Sequence, residues 1–104
     1  MLGLSEGAWG KKGDVALGKN LYRMHCSSCH GHSGRGDGPM GRMLQCEPVD
    51  LTTLREDGVF PRQKVLDSLN HVRIPCGEMP DWSEVLSRAD QEALVFFLET
   101  IQRR

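Results

Sequence analysis

The run Cys26-Ser27-Ser28-Cys29-His30 constrains this chain more than any other feature of its sequence. Two cysteines at this spacing, followed directly by a histidine, are typical of a c-type haem attachment site. The spacing lets the two thiols form thioethers with the two vinyl groups on one edge of a porphyrin, and it places the histidine under the iron. Cys26 and Cys29 are therefore predicted to hold one covalent haem c, with His30 as an axial ligand.

Two other interpretations of the cysteine pair compete with haem. A structural zinc site usually carries a second pair of ligands at short spacing, whereas the remaining cysteines, Cys46 and Cys76, lie far apart and form no such pair. A thioredoxin-type redox pair usually lies in a βαβ pattern, and no parallel-sheet pattern surrounds this run. The sequence favours haem over both.

The composition describes a chain that has little apolar mass of its own. Only 38% of the 104 residues are hydrophobic and 6% are aromatic, against 12 glycines. Small domains of this kind often recruit a disulfide, a metal or a cofactor. A net charge of −1 argues against nucleic-acid binding, and no run approaches the roughly 20 apolar residues that span a bilayer.

The chain is short enough to be a single domain, residues 1–104. Residues 1–13 lack the apolar core and small-residue cleavage site of a signal peptide. They are expected to form a loosely ordered N-terminal extension of that domain.

The second axial ligand of the iron has several candidates. Met79 leads them because it lies in the loop-like run Gly77-Glu78-Met79-Pro80, where a proline fixes the backbone beside a weak ligand. Methionines also fill gaps in ordinary cores, which is the structural alternative for Met79. An open coordination position is a further alternative, and four other side chains compete as ligands: Met24, Met40, Met43 and His71.

Hydrophobic periodicity predicts helices and no alternating strand. The first helix is expected from an N-cap at Asp14 to about Met24, and a second helix has Pro61 as its first residue. The clearest helix follows Ser87, which forms a capping-box-like pair with Asp90. Its apolar stripe consists of Ala93, Leu94, Phe97, Leu98 and Ile101. The chain is therefore predicted to be all-α.

From Asp14 to about Ile101 the chain resembles a bacterial class I cytochrome c, a small mono-haem electron carrier. The resemblance rests on an ordered set of pieces: Gly18 and Tyr22, Cys26 to Gly31, Gly34 to Pro39, Pro48 to Thr52, Met79 to Trp82, and Leu94 with Phe97. It implies a class I cytochrome c fold, with short helices and glycine-rich loops around one covalent haem. The N- and C-terminal helices would cross, with Gly18 admitting Phe97 or Leu94 beside Tyr22.

The resemblance also implies roles for residues around the iron. The carbonyl of Pro39 would accept the second ring N–H of His30. The haem propionates would pair with Thr52, Arg55 or Arg73. Three residues are expected to line the haem pocket, although Trp82 has packing on the last helix as an equal alternative: Leu44, Leu51 and Trp82.

Cys46 and Cys76 depart from the common pattern of the family. A c-type haem matures outside the cytoplasm, where disulfides persist. A bridge between these cysteines would clamp the Met79 loop to the opposite loop and contribute about 3–4 kcal/mol on the chain-entropy model. Two buried free thiols, or one exposed thiol, are the alternatives.

Ligation by His30 and Met79 would saturate the iron, and a thioether sulfur favours its ferrous form. The sequence therefore predicts a soluble, monomeric, periplasmic carrier of single electrons that is not an enzyme. It would dock transiently with a redox donor and an acceptor protein through a small interface. Three alternatives stay open: a haem peroxidase or gas sensor with a labile Met79, a domain cut from a larger redox enzyme, and a zinc-binding structural module.

Overall fold

Helices account for the regular secondary structure of this chain. The computed structural model describes residues 12–44, 47–70 and 79–103, and within them it contains no strand. Four α-helices follow one another in those ranges: α1 Lys12–His25, α2 Ser27–His30, α3 Arg62–Leu69 and α4 Arg88–Thr100. Two 3-10 helices, Pro39–Met43 and Trp82–Glu84, complete them. The all-α prediction is confirmed.

The helix ends are set by local sequence, with small departures from expectation. The Ser87 hydroxyl accepts a hydrogen bond from the Asp90 N–H at 3.1 Å, so the predicted cap of α4 is confirmed. Helix α1 begins at Lys12, which places Asp14 in the first turn instead of at the cap. A carboxylate there still favours the helix dipole. Pro61 precedes α3 instead of starting it, and residues 1–11 of the predicted extension lie outside the described residues.

Helices α1 and α4 cross at Gly18. A Cβ added to Gly18 would collide with the backbone carbonyl of Ala93 and lie 2.7 Å from the Cβ of Phe97. Only a glycine admits so close a helix. One turn later, the rings of Tyr22 and Phe97 pack with centroids 5.6 Å apart. The predicted crossing of the N- and C-terminal helices, with Phe97 beside Tyr22, is confirmed.

Helix α4 supplies much of the core, including two residues outside its predicted stripe. Val95 is fully buried, and Gln91 is 4% exposed. The Gln91 amide exchanges hydrogen bonds with Asn70 at 2.9 and 3.3 Å and donates to the Leu86 carbonyl at 3.1 Å. A buried amide is tolerated because its polar atoms are paired. This network ties α4 to the end of α3.

Ion pairs are distributed unevenly along the chain. Those between described residues all join side chains from Asp50 onwards: Arg62 to Glu99, Lys64 to Glu56, Arg88 to Glu92, and Arg103 to Asp50. None of them uses a basic side chain of the 12–44 range, where Lys19, Arg23, Arg35 and Arg42 are exposed. The positive charges around the cysteine motif therefore face solvent.

Candidate functional site

Cys26, Cys29 and His30 occupy a single helical turn. The N–H of Cys26 donates to the Tyr22 carbonyl at 2.9 Å, which continues α1 into the motif. The Cys26 carbonyl then accepts from the N–H groups of Cys29 and His30, at 3.2 and 2.9 Å. Because residues three apart lie on the same side of a helical turn, the two thiols share one face. Cys26 is buried and Cys29 is half-buried, and neither forms a disulfide.

The environment of Cys26 disfavours redox chemistry at this pair. Burial, and then the neighbouring Cys29, raise the pKa of the Cys26 thiol to about 12. Reactive redox cysteines have a lowered pKa because the thiolate is the nucleophile. The described residues also contain no group of three or more His, Cys, Asp or Glu side chains that could hold a metal ion. The raised pKa argues against a redox pair, and the shared face of the two thiols is compatible with attachment to one edge of a porphyrin.

One ring nitrogen of His30 is fixed by the backbone. Its Nδ1 lies 3.1 Å from the carbonyl oxygen of Val49. With the proton on Nδ1 as the donor, Nε2 keeps a free lone pair that can bind a metal. Burial lowers the pKa of His30, and the hydrogen bond to Val49 partly opposes this. A neutral imidazole whose Nδ1 proton lies on Val49 is the tautomer that could bind iron through Nε2.

This contact corrects the predicted acceptor from Pro39 to Val49. Pro39 begins the 3-10 helix Pro39–Met43, and carbonyls in such a helix point along its axis toward N–H groups three residues on. The Val49 carbonyl lies instead in an irregular segment, residues 47–54, that passes His30. No side-chain signature could have identified it, since the acceptor is a main-chain oxygen.

The glycine-rich stretch folds back on the motif and brings the 47–54 segment to it. The N–H of Gly36 donates to the His30 carbonyl at 2.7 Å, and that of Leu51 donates to the Gly34 carbonyl at 2.6 Å. Gly36 has a φ of +88°, and an added Cβ would lie 2.5 Å from the Pro48 oxygen. A glycine is required there for both reasons. The glycine-rich stretch that begins at Gly31 ends at Gly38, because Pro39 starts a 3-10 helix.

Thr52, Asp50 and Arg103 form a compact polar cluster at the far end of the 47–54 segment. The Thr52 hydroxyl donates to Asp50 Oδ1 at 2.6 Å and accepts from Arg103 Nε at 2.8 Å. Arg103 Nη2 donates to Asp50 Oδ2 at 3.1 Å. The hydrogen bonds from Thr52, and then the charge of Arg103, lower the pKa of Asp50. Since this cluster uses the Thr52 hydroxyl proton, Thr52 is a poor propionate donor, while Arg55 is exposed.

Gln102 fixes the same segment from the side of α4. Its Oε1 accepts from the Leu54 N–H at 2.7 Å, and its Nε2 donates to the carbonyls of Leu51 and Leu98 at 2.7 and 2.9 Å. No contact of Gln102 or Arg103 was predicted from the sequence. The contacts of Gln102 with Leu51 and Leu54 join residues about half the chain apart, and no local sequence pattern predicts them.

Met79 and Trp82 lie against the core that contains Cys26. Both are half-buried and pack on the main hydrophobic cluster, as does Leu51. The Trp82 indole also contacts the His25 imidazole, with ring centroids 5.1 Å apart. Trp82 thus packs beside the cysteine motif, and His25 has a partner that the sequence did not suggest. Leu44 is half-buried at the end of the first 3-10 helix.

The competing methionines are exposed. Met24, Met40 and Met43 have exposed fractions of 72%, 50% and 77%. Among the methionines that the structure describes and that were considered as ligands, Met79 is the one in contact with the core cluster. His71, Arg73, Cys46 and Cys76 lie outside the described residues, so bis-histidine ligation and the Cys46–Cys76 disulfide stay predictions.

The described residues fit a c-type haem. Two thiols one helical turn apart match two vinyl attachment points, and a neutral imidazole with a free Nε2 matches an axial position on iron. A half-buried thioether sulfur at Met79 is a suitable second donor. Cys26, Cys29, His30 and Met79 would hold the group.

Comparison with known proteins bears on the family and the fold. The family model described as "Cytochrome C oxidase, cbb3-type, subunit III" matches residues 13–98. A chain of the Kuenenia stuttgartiensis reducing HAO-like protein complex Kustc0457/Kustc0458 has a similar fold, with a TM-score of 0.77 and 22% sequence identity. The match covers 98% of this chain and 50% of that chain, so this chain spans half the length of its relative.

No curated protein matches the sequence. None of the helices in the described ranges is long and apolar enough to cross a membrane.

Proposed function

Because this chain belongs to the cytochrome c oxidase, cbb3-type, subunit III family, a class I mono-haem cytochrome c domain, we propose that it is a soluble carrier of single electrons. A cytochrome c domain implies covalently bound haem c, haem-based electron transfer and redox partners. The proposal adds that the haem is single and that its iron is ligated by His30 and Met79. The observation that carries it is the 3.1 Å contact from His30 Nδ1 to Val49, which leaves Nε2 for iron.

Met79 is the proposed second ligand because of where it lies. It packs against the same cluster as Cys26, whereas the methionines near the motif are exposed. A thioether donor raises the reduction potential relative to a second nitrogen ligand. If His30 and Met79 both bind the iron, it would have no open position for oxygen or peroxide. The chain is therefore proposed to transfer electrons without acting as an enzyme.

The bound haem supplies a one-electron couple at iron. The residues of this chain would do the rest: Cys26 and Cys29 would hold one edge of the macrocycle, and His30 is oriented by Val49. The half-buried apolar side chains of Leu51 and Trp82 would exclude water from that region and so lower the local dielectric. Electrons would pass through the exposed haem edge during brief encounters with a donor and an acceptor protein.

Cytochrome c domains are typically extracytoplasmic. We propose the periplasm as the compartment and a monomer as the working form. The solved relative is twice as long as this chain, which favours one second candidate: a cytochrome domain of a longer redox protein. The complete reading frame that encodes the chain distinguishes the two.

Carbon monoxide binding to the reduced protein at neutral pH tests the closed iron site. The carrier should show a haem-to-chain ratio of one and little binding of carbon monoxide, whereas Met79→Ala should bind it stoichiometrically. Rapid, stoichiometric binding by the unaltered protein would refute the carrier and favour the gas sensor or peroxidase. Absence of a Soret band would eliminate haem altogether.

A further inference from the structure

The Val49 carbonyl that meets His30 lies in a segment without regular secondary structure. Residues 47–54 contain no helix or strand, so the position of this carbonyl depends on hydrogen bonds to other parts of the chain. On one side, the Leu51 N–H donates to the Gly34 carbonyl at 2.6 Å. On the other side, the contacts come from residues after α4. These two attachments therefore determine how firmly the Val49 carbonyl is held against His30.

Arg103 provides the most extensive of the attachments after α4. Its backbone N–H donates to the Thr52 carbonyl at 2.8 Å. Its guanidinium spans two partners, with Nε on the Thr52 hydroxyl at 2.8 Å and Nη2 on Asp50 at 3.1 Å. A planar guanidinium holds two acceptors in a fixed relative position, which a lysine ammonium does not. We call these contacts of Arg103 with Thr52 and Asp50 the clamp. Asp50 directly follows Val49, so the clamp acts one residue from the Val49 carbonyl.

The clamp is ordered because Thr52, which it holds, is buried. Thr52 is 3% exposed, and Asp50 also accepts from the Thr52 N–H at 2.8 Å. The turn formed by Asp50 and Thr52 is thus closed internally, and Arg103 then fastens it to α4. Arg55, the arginine that the sequence suggested for this region, is exposed.

We propose that Arg103, acting through Asp50 and Thr52, is a positioning residue that holds the Val49 carbonyl on His30 and so sets the reduction potential of the iron. This inference rests on the proposed ligation by His30. A hydrogen bond from the distal ring N–H makes a histidine a stronger electron donor to its metal. Stronger donation stabilises ferric iron and lowers the potential. Loosening the clamp therefore raises the potential without removing a ligand.

The test uses the haem-loaded protein and two readouts. At a fixed ambient potential, Arg103→Ala should increase the ferrous-to-ferric ratio twofold or more. The Nδ1 proton of His30, followed by NMR in deuterated solvent, should exchange at least tenfold faster. Thr52→Val, which removes the hydroxyl and keeps the shape, should move both readouts in the same direction. Thr52→Ser keeps the hydroxyl, so its ferrous-to-ferric ratio and its proton exchange rate should match those of the unaltered protein.

Arg88→Ala is the matched control, because it removes one positive charge and one ion pair, to Glu92, from the first turn of α4, away from the 47–54 segment. It should leave the proton exchange unchanged. The inference is overturned if Arg88→Ala shifts the ratio as much as Arg103→Ala, or if neither Arg103→Ala nor Thr52→Val changes the exchange. If Arg103→Ala does not fold, the Thr52 pair decides. A failure of the proposed function would appear differently, as a missing Soret band or a missing methionine–iron band in the unaltered protein.

Discussion

The imidazole of His25 and the indole of Trp82 lie in contact, with ring centroids 5.1 Å apart and ring planes tilted by 58°. His25 ends α1 immediately before Cys26. Trp82 begins the 3-10 helix that follows Met79 by three residues. This contact therefore joins the two parts of the chain that supply the proposed iron ligands.

Replacing His25 with alanine should weaken the hold on Met79. Aromatic pairs contribute about 0.5–1.5 kcal/mol beyond their buried area. We expect the methionine–iron charge-transfer band of His25→Ala to disappear at a lower guanidinium concentration than that of the unaltered protein. His32→Ala is the control, since His32 is exposed two residues beyond the motif. Equal midpoints for the two variants would contradict a role for the His25–Trp82 contact.

Met79→Ala should abolish the sulfur-to-iron charge-transfer band. The potential should also fall, by an amount on the order of a tenth of a volt within the roughly 0.8 V that axial ligands control. Both are measured by optical redox titration. Met43→Ala, at a side chain that is 77% exposed, should change neither. A retained band in Met79→Ala would show that another side chain ligates the iron.

Gly18→Ala should destabilise the protein even though alanine favours helices by about 1 kcal/mol. The added Cβ would meet the Ala93 carbonyl and the Phe97 Cβ. A backbone carbonyl cannot relieve this contact by changing rotamer, as the end of a side chain can. We expect a net loss of about 1–3 kcal/mol in the free energy of unfolding. Urea unfolding measures it. Asn20→Ala, on the exposed side of α1, should leave stability unchanged or slightly raised, and a similar result for Gly18→Ala would refute the close crossing.

Asp50 should make stability depend on pH in the acid range. Hydrogen bonds from Thr52, followed by the Arg103 charge, lower its pKa in the folded state. A lowered pKa gives stability that is fully present above the unfolded value of about 3.9 and is lost as pH falls through the folded value. Because Asp50 is partly exposed, we expect a contribution of about 1 kcal/mol or less.

Asp50→Asn tests this pH dependence through urea unfolding at about pH 7 and about pH 3. The variant should be less stable than the unaltered protein at the higher pH and should lose less stability on acidification. Asp57→Asn, an exposed turn carboxylate, controls for the removal of a charge. Parallel pH profiles for Asp50→Asn and the unaltered protein would be inconsistent with the expected linkage.

Local chemistry explains what the sequence could predict. The spacing of Cys26, Cys29 and His30 is enough to predict a haem attachment site. Ser87 caps a helix by accepting from a residue three positions away. In both cases the signal lies within one helical turn. The close crossing of α1 and α4 at Gly18 was implied by the resemblance to class I cytochromes c, since it joins distant parts of the chain.

The contacts that the sequence missed are made between distant residues by ordinary polar groups. Val49 acts through its main chain, and Gln102 meets Leu51 and Leu54 about half the chain away. Arg103 meets Thr52 and Asp50 across a similar separation. Such pairs leave no periodic pattern and no motif, so they become visible only once the helices are in place.

Charge is distributed unevenly along the described residues. Residues 12–44 carry five basic and two acidic side chains, whereas 47–70 and 79–103 together carry five basic and ten acidic ones. The part of the chain that holds the cysteine motif is therefore positive, although the net charge of the whole chain is only −1. If a redox partner presents an acidic surface, this positive charge would turn the motif toward it before contact. Ionic strength would then affect the rate of that encounter more than the affinity of the complex.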